Sequence, residues 1–268
     1  MSSGPIAASD LDVARVGRGP AVVLVHGSIV GARQTWRKQR ALGSSWTLVM
    51  PNRPGFGESP PLERGDFAVE AELIAELFGD DAGAGAHLIG HSYGAVIALL
   101  AAAARPSCVR SLIVSEPGLL RLAAGDHAAD AMVTGGERLY RVAAELPPAE
   151  FLRLFRTGVH STHETPETLP PELERGVKLS ARERPPWHAD VPFERLAAAT
   201  FPKLVISGCH SPVFETVCDV VAERIGARRT RVAGRGHTIP ATGEAYNAVV
   251  QDFLRAAASQ EHPASANP

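Results

Sequence analysis

A serine between two glycines is the clearest sign of chemistry in this sequence. Residues 90–94 read Gly-His-Ser-Tyr-Gly and lie between a short apolar run and a longer apolar stretch. In that setting, Gly-x-Ser-x-Gly is typical of a sharp turn from a strand into a helix, which lifts the serine hydroxyl above the sheet. The glycines are needed because a larger side chain would clash in so tight a turn. We therefore predict that Ser92 is a nucleophile; a glycine-rich turn without chemistry is the alternative.

The elements around this serine are those of an α/β protein. Six short segments, each followed by turn residues, are predicted as strands: 21–25, 46–50, 87–89, 112–114, 203–206 and 229–232. An earlier edge strand is expected over 11–16, and helices over 69–78, 93–104, 214–225 and 245–258. Alternating strands and helices predict a doubly wound, mostly parallel sheet with right-handed crossovers.

One long segment interrupts this alternation. Residues 119–190 contain no strand pattern, but helices are predicted over 128–146 and 149–155, and prolines punctuate the rest. We predict a core of residues 1–118 and 191–258, with residues 119–190 inserted between two strands as a helical cap. The polar tail, 259–268, is expected to be disordered.

Further motifs make the chain similar to the α/β-hydrolase superfamily over about residues 10–256. His26-Gly27 ends an early strand, residues 53–59 (Arg-Pro-Gly-Phe-Gly-Glu-Ser) follow the next, and residues 234–237 (Gly-Arg-Gly-His) follow the last. The resemblance implies an α/β-hydrolase fold with a helical cap and a serine, histidine and acid acting together. It implies no cofactor and no metal.

A serine hydroxyl is a weak nucleophile until an imidazole accepts its proton. The resemblance points to His237 as this base, because the loop after the last strand carries the histidine in this superfamily. His26 and His91 are the nearest alternatives in sequence. We expect His91 to point away from Ser92, and His26 to shape the loop that binds the oxyanion.

The position of the acid departs most from the usual superfamily pattern. The superfamily commonly places an Asp shortly after the strand that ends here at Ser207, but Ser211 stands there, followed by Pro212 as in an ordinary helix start. Glu116 is the best replacement, because it follows the strand 112–115 at the edge of the sheet where such sites form. This layout resembles the zearalenone lactonases, with Ser, His and Glu. Glu215 and Asp219 are the rivals.

The resemblance also indicates the groups that would bind the oxyanion and the substrate. The backbone N–H groups of Ser28 and Tyr93 are expected to stabilise the oxyanion, since an amide at a helix start is a free donor. For the substrate pocket we name five apolar residues near these loops or in the cap: Leu119, Met132, Trp187, Val213 and Ile239. A tryptophan of the cap holds the substrate in lactonases of this type.

The composition excludes several other classes of function. With 27 basic and 29 acidic residues the formal charge is −2, so neither nucleic acid nor a membrane is an expected partner. The three cysteines are far apart and suit neither disulfides nor a metal site. The start of the chain lacks the features of a secretory signal, and the longest apolar run, 94–104, is shorter than the roughly 20 residues of a membrane span. We expect a cytoplasmic protein; the sequence leaves its oligomeric state open.

These observations predict a serine hydrolase that cleaves a carboxylic ester or lactone of a hydrophobic small molecule. The same residues would also suit a thioester or C–C bond hydrolase, or a perhydrolase without a cofactor. A small-molecule receptor that lacks catalysis is a further alternative, because a fold by itself never fixes function.

Overall fold

The computed structural model describes residues 6–78, 85–161 and 163–261, and its centre is a seven-stranded sheet. The strands are β1 (Val13–Gly17), β2 (Ala21–Val25), β3 (Thr47–Pro51), β4 (Ala86–His91), β5 (Val109–Ser115), β6 (Lys203–Ser207) and β7 (Arg228–Arg231). Their order across the sheet is β1-β3-β2-β4-β5-β6-β7, and only β1 pairs antiparallel with its neighbour. The predicted α/β-hydrolase fold with a mostly parallel sheet is confirmed.

The central strands are buried on both faces, which explains their continuous apolar sequences. Every residue of β4 is buried, and Val22, Val23, Leu24 and Val25 of β2 are fully inaccessible. Because the strands are parallel, their carboxyl ends meet along one edge of the sheet. Ser92 and Glu116 directly follow the adjacent strands β4 and β5 at that edge.

Helices cover both faces of this sheet. The helices outside the cap are α1 (Ala32–Thr35), α2 (Phe67–Glu76), α3 (Tyr93–Ala104), α7 (Phe193–Ala198), α8 (Pro212–Ile225) and α9 (Glu244–Glu261). Helices α2, α3 and α8 share one apolar core, and α9 forms the second core on the opposite face. Nearly all of α3 is buried, as expected from its apolar sequence.

The segment between β5 and β6 contains the cap helices α4 (His127–Val142), α5 (Pro148–Gly158) and α6 (Pro171–Ser180). Two of these helices were predicted with shifted ends, whereas α6 was missed. Helix α6 begins directly at Pro171, after Pro170, and a proline at the first helical position is compatible with a helix start rather than a break.

Two further features complete the described chain. The last helix continues to Glu261, so residues 259–261 are helical rather than disordered, and the rest of the predicted tail lies outside the described residues. Within the ranges described, every helix is too short or too polar to traverse a lipid bilayer.

Candidate active site

The serine turn has the strained geometry that its sequence predicted. Ser92 lies between β4 and α3 with φ 55° and ψ −120°, a backbone conformation that side-chain-bearing residues rarely adopt. A Cβ on Gly90 would lie 2.4 Å from the carbonyl oxygen of Gly94, and one on Gly94 would lie 2.3 Å from that of Val25. Only glycine fits at either position, which accounts for both ends of the motif.

The structure brings Ser92, His237 and Glu116 into one hydrogen-bonded chain. The Nε2 atom of His237 is 2.9 Å from Ser92 Oγ, and its Nδ1 atom is 2.7 Å from Glu116 Oε2. His237 is contributed by the loop after β7, far along the chain from the other two residues. The order hydroxyl, imidazole, carboxylate is the one required to activate a serine.

Glu116 is fully buried and held from several directions. Its Oε1 atom accepts a hydrogen bond from the backbone N–H of Gly208 at 2.6 Å, while Oε2 faces His237. Burial by itself would raise the pKa of this carboxyl, but hydrogen bonds and charge from His210 and His237 outweigh burial and lower the pKa to about 2. The carboxylate is therefore ionised over the whole neutral range.

The alternative acids lie elsewhere. Glu215 pairs with Arg229 and Arg231 at 2.8 and 2.7 Å, and Asp219 pairs with Arg229 at 2.7 Å. Ser211 is the residue before α8, as its Ser-Pro sequence predicted, but its side chain caps no helical N–H.

Both alternative histidines have structural contacts. His91 Nε2 donates to the backbone carbonyl of His237 at 2.6 Å, and burial lowers the pKa of His91 to about 4. His26 accepts the N–H of Arg53 at Nε2 and donates to the carbonyl of Gly27 from Nδ1. Burial, with the nearby charge of Arg53, holds the pKa of His26 well below its usual range. Both rings are neutral supports for the backbone around the site.

The two residues expected to bind the oxyanion, Ser28 and Tyr93, line the same cavity as Ser92. Tyr93 is the first residue of α3, so its N–H has no partner within the helix. Ser28 lines the same cavity as Ser92, and its hydroxyl donates to Glu183 Oε2 at 2.5 Å. The hydroxyl of Ser28 therefore connects its loop to Glu183 at the end of the cap.

A buried ion cluster supports this loop. Arg53 is 2.6 Å from Glu70 and 2.8 Å from Glu183, and it also donates to the carbonyl of Gly27 at 2.9 Å. Its guanidinium lies 4.2 Å from the centre of the Tyr93 ring, a favourable cation–π distance. Arg53 thereby joins α2, the cap and both segments that carry the expected oxyanion donors.

Above the serine is a cavity of about 670 Å³ between the core and the cap. Ser92, Tyr93 and His237 contribute to its lining, and its walls are largely apolar. Wall residues include Leu120, Leu139, Leu146, Phe155 and Phe214. A cavity of this size and character suits a hydrophobic small molecule.

Met132 and Trp187 line this cavity, whereas the other three residues named for the pocket do not. Leu119 and Val213 are buried in the core that α2, α3 and α8 share, and Ile239 is buried in the core on the α9 face. Their sequence neighbours reach the cavity instead: Leu120 next to Leu119, and Phe214 next to Val213. Being near a catalytic loop in sequence does not fix which way a side chain points.

Trp187 contributes an apolar surface rather than a hydrogen bond to ligand. Its indole N–H donates to Glu137 Oε1 at 2.8 Å, and His188 Nε2 lies 2.6 Å from the same oxygen. Gly136 of α4 allows the close approach of the indole, because a Cβ there would lie 2.4 Å from the ring.

Sequence reasoning missed two residues that contact the site. His210 faces the carboxylate of Glu116, and Glu183 reaches Arg53 and Ser28 from the end of the cap. Both were hidden among ten histidines and 29 acidic residues. The one sequence feature that could have indicated His210 is its position in the loop where the superfamily usually has its acid.

In the described ranges, one group of three side chains has metal-ligating atoms close enough together to share an ion: Glu116, His210 and His237. Oxygen atoms of Glu116 already face the imidazole of His237 and the N–H of Gly208. The group is therefore the carboxylate end of the serine site itself.

Comparisons with known proteins agree with this fold. A family model described as "Alpha/beta hydrolase family" matches residues 22–251. An alpha/beta hydrolase from Sphaerobacter thermophilus has a similar structure, with a TM-score of 0.69 and 26% identity, covering 93% of this chain and 99% of that one.

Two curated relatives are similar in sequence over part of their length. The polyketide synthase ThaQ of Burkholderia thailandensis is 29% identical over 260 residues, which are 91% of this chain and 12% of the synthase. The pimeloyl-[acyl-carrier protein] methyl ester esterase of Chromobacterium violaceum is 31% identical over 167 residues, 61% of this chain and 64% of the esterase. The chain therefore matches less than two thirds of the length of each.

Proposed function

This chain belongs to the alpha/beta hydrolase family, and we propose that it is a serine hydrolase that cleaves a carboxylic ester or lactone of a hydrophobic small molecule. The observation that carries the proposal is the position of His237, 2.9 Å from Ser92 and 2.7 Å from Glu116, below an apolar cavity. Esterases among the similar proteins support the reaction class.

In the proposed mechanism Ser92 Oγ attacks the carbonyl carbon while His237 Nε2 accepts its proton. The backbone N–H groups of Ser28 and Tyr93 stabilise the negative oxygen of the tetrahedral intermediate. His237 then donates the proton to the leaving alcohol, and the acyl group stays on Ser92. A water molecule, deprotonated by His237, attacks the acyl-enzyme; the acid leaves and Ser92 regains its proton.

Glu116 has two tasks in this cycle. Its hydrogen bond holds His237 with Nδ1 protonated, so that Nε2 is free to accept the serine proton. Its negative charge stabilises the imidazolium that forms. A carboxyl with a pKa near 2 retains this charge throughout the neutral pH range.

A second candidate function is the hydrolysis of an ester or thioester whose acyl group is attached to a carrier protein. Two of the similar proteins, a polyketide synthase and an esterase for a carrier-bound methyl ester, support this candidate by their names. The apolar cavity would suit the acyl chain, and the same three residues would perform the chemistry.

Labelling with a fluorophosphonate tests whether Ser92 is a nucleophile. We expect stoichiometric labelling of the wild type and none of Ser92→Ala, with Ser107→Ala, on the exposed surface, as the matched control. A folded wild type that resists labelling would instead favour the receptor alternative.

The substrate class is tested with nitrophenyl esters of increasing acyl length, aromatic lactones and acyl thioesters. We expect kcat/KM for the esters to rise with acyl length until the cavity is filled, and all activity to disappear in Ser92→Ala. A strong preference for thioesters over oxygen esters would favour the carrier-bound candidate.

A further inference from the structure

A second histidine contacts the acid of the proposed triad. His210, in the loop after β6, has Nδ1 at 3.2 Å from Glu116 Oε1, on the carboxylate oxygen that does not face His237. Its other ring nitrogen, Nε2, is 3.2 Å from the backbone carbonyl oxygen of Val159, just after α5 of the cap. The side chain is 10% exposed, so little water competes for either contact.

Both of these neighbours are oxygen atoms that only accept hydrogen bonds. An imidazole with one proton has one donor and one acceptor, so it would turn a lone pair toward one of the two oxygens. A doubly protonated ring donates to the carbonyl of Val159 and places its positive charge 3.2 Å from the buried carboxylate, at ion-pair distance. Burial alone would lower the pKa of His210, but the hydrogen bond and charge of Glu116 outweigh it and raise that pKa.

The surroundings hold the ring in this position. Phe214 of α8 stacks on it, with ring centres 5.4 Å apart. Gly236, in the loop before His237, packs next to the ring, where even a Cβ would make an ordinary contact at 3.5 Å. The centres of the His210 and His237 rings are 5.9 Å apart, so a charge on one ring acts on the protonation of the other.

We propose that His210 is a positioning residue that acts as a cation on Glu116, fixing the carboxylate for His237 and tying the acid to the end of the cap helix α5. The proposal rests on the function proposed above. It adds a fourth group to the site, one that makes His237 harder to protonate in the free enzyme. His237 would consequently remain a competent base at a lower pH than the carboxylate of Glu116 alone would permit.

The other charged or titratable groups near His210 are consistent with this role. Glu215 of α8 adds negative potential, but its carboxylate is shared by Arg229 and Arg231. From the cap, His160 Nδ1 is 3.0 Å from Ser211 Oγ rather than from Glu116. His237 and Glu116 are therefore the titrating partners that the charge of His210 acts on most directly.

The first test compares the pH dependence of kcat/KM for a nitrophenyl ester in wild type, His210→Asn and His210→Gln. Both variants remove the charge; asparagine retains an N–H donor near Glu116, and glutamine reaches toward Val159. We expect the acidic limb of both profiles to move up by about one pH unit, because His237 becomes easier to protonate. Above this limb, His210→Asn should retain kcat within about tenfold, since its donor still orients Glu116.

His160→Asn is the matched control, because it changes a histidine of the same contact region that does not face Glu116. Its acidic limb should coincide with that of the wild type. An unshifted limb in His210→Asn, or an equal shift in His160→Asn, would overturn the proposal. Thermal unfolding of each variant distinguishes these outcomes from a general loss of structure.

A second test requires neither enzymatic activity nor a variant that folds. Nitrogen NMR of the wild-type protein reports the protonation of the His210 imidazole directly. The His210 signals are identified by their absence in His210→Gln or, should that variant not fold, by through-bond assignment. We expect both nitrogens of His210 to carry protons at pH 7. A neutral His210 at that pH rejects the role proposed for it, whereas failure of fluorophosphonate labelling would reject the proposed function.

Discussion

Two buried glutamates flank the serine turn, and their environments affect ionisation in opposite directions. Glu116 is 0% exposed and Glu183 is 2% exposed, so burial alone would raise the pKa of both carboxyls. The pKa of Glu116 is instead lowered to about 2, whereas that of Glu183 is raised above its usual value. Two carboxyls that are buried to a similar degree thus have pKa values shifted in opposite directions.

The difference arises from how the neighbouring charges are shared. Glu116 faces two imidazoles, His210 and His237, and no other carboxylate competes for them at hydrogen-bond distance in the described chain. Glu183 shares Arg53 with Glu70, and the charge of Glu70 adds to the effect of burial. The pKa of Glu116 is therefore lowered and that of Glu183 raised, because only Glu183 shares its cation with a second acid.

The comparison also separates two tasks. In the proposed mechanism the base needs a permanently charged partner, because an imidazolium would form beside Glu116 at each proton transfer. The loop proposed to bind the oxyanion needs support without extra negative charge, because in that mechanism a negative oxygen would develop close to Ser28 and Tyr93. An arginine between two glutamates gives that support while it neutralises much of their charge.

Among substitutions at the two buried glutamates and their partners, Glu116→Gln is expected to have the largest effect, a loss of activity. The amide cannot stabilise an imidazolium and permits the wrong orientation of His237, so kcat should fall by about 10²–10⁴ while the fold persists. Steady-state kinetics and circular dichroism measure the two quantities. Glu215→Gln and Asp219→Asn are the controls and should remain close to wild type; if either of them is inactive while Glu116→Gln is not, the acid is misassigned.

Arg53→Met should produce the next largest effect, on stability. It leaves Glu70 and Glu183 buried without their shared cation, which typically costs about 3–5 kcal/mol of unfolding free energy. Urea denaturation followed by fluorescence measures this change. Arg184→Met, which breaks a partly exposed pair with Asp66 at 3.4 Å, should cost less than about 1 kcal/mol. Equal losses in the two variants would contradict the role given to the buried cluster.

The pH dependence of stability provides a third measurement. Because folding lowers the pKa of Glu116 from 4.5 to about 2, its contribution is complete above about pH 5 and is lost as the pH falls toward 2. The loss should approach about 3 kcal/mol. The denaturation midpoint of the wild type should therefore fall more steeply below pH 5 than that of Glu116→Gln. Parallel curves would show that the charge of Glu116 does not stabilise the fold.

The smallest effect is expected from Glu183→Gln. The amide keeps an acceptor for Ser28 and removes a charge that burial already disfavours, so activity should stay within about tenfold of wild type and stability within about 1 kcal/mol. For a raised pKa the sign is opposite to that of Glu116: the wild type loses stability relative to this variant as the pH rises above 4.5. Denaturation midpoints between pH 4 and 8 measure that difference.

The fold and the residues of the proposed triad could be predicted from the sequence, because both depend on local patterns. Strand runs that are buried on two faces have no alternation to obscure them, and the glycines of residues 90–94 report a clash that only a tight turn produces. The edge position of Glu116 followed from the rule that the carboxyl ends of parallel strands meet. Helix α6 was missed because its start coincides with prolines that otherwise indicate a break.

The pocket and the supporting charges were not local properties. Whether Val213 or Phe214 points into the cavity depends on the rotation of α8 against the sheet, which one residue of shift reverses. His210 and Glu183 matter through partners such as Glu116 and Ser28 that are remote in the chain. The sequence by itself determined which residues are the candidates for reaction and on which edge of the sheet they lie. Tertiary structure alone decided which side chains hold them, because burial and charge depend on distances in space rather than on order along the chain.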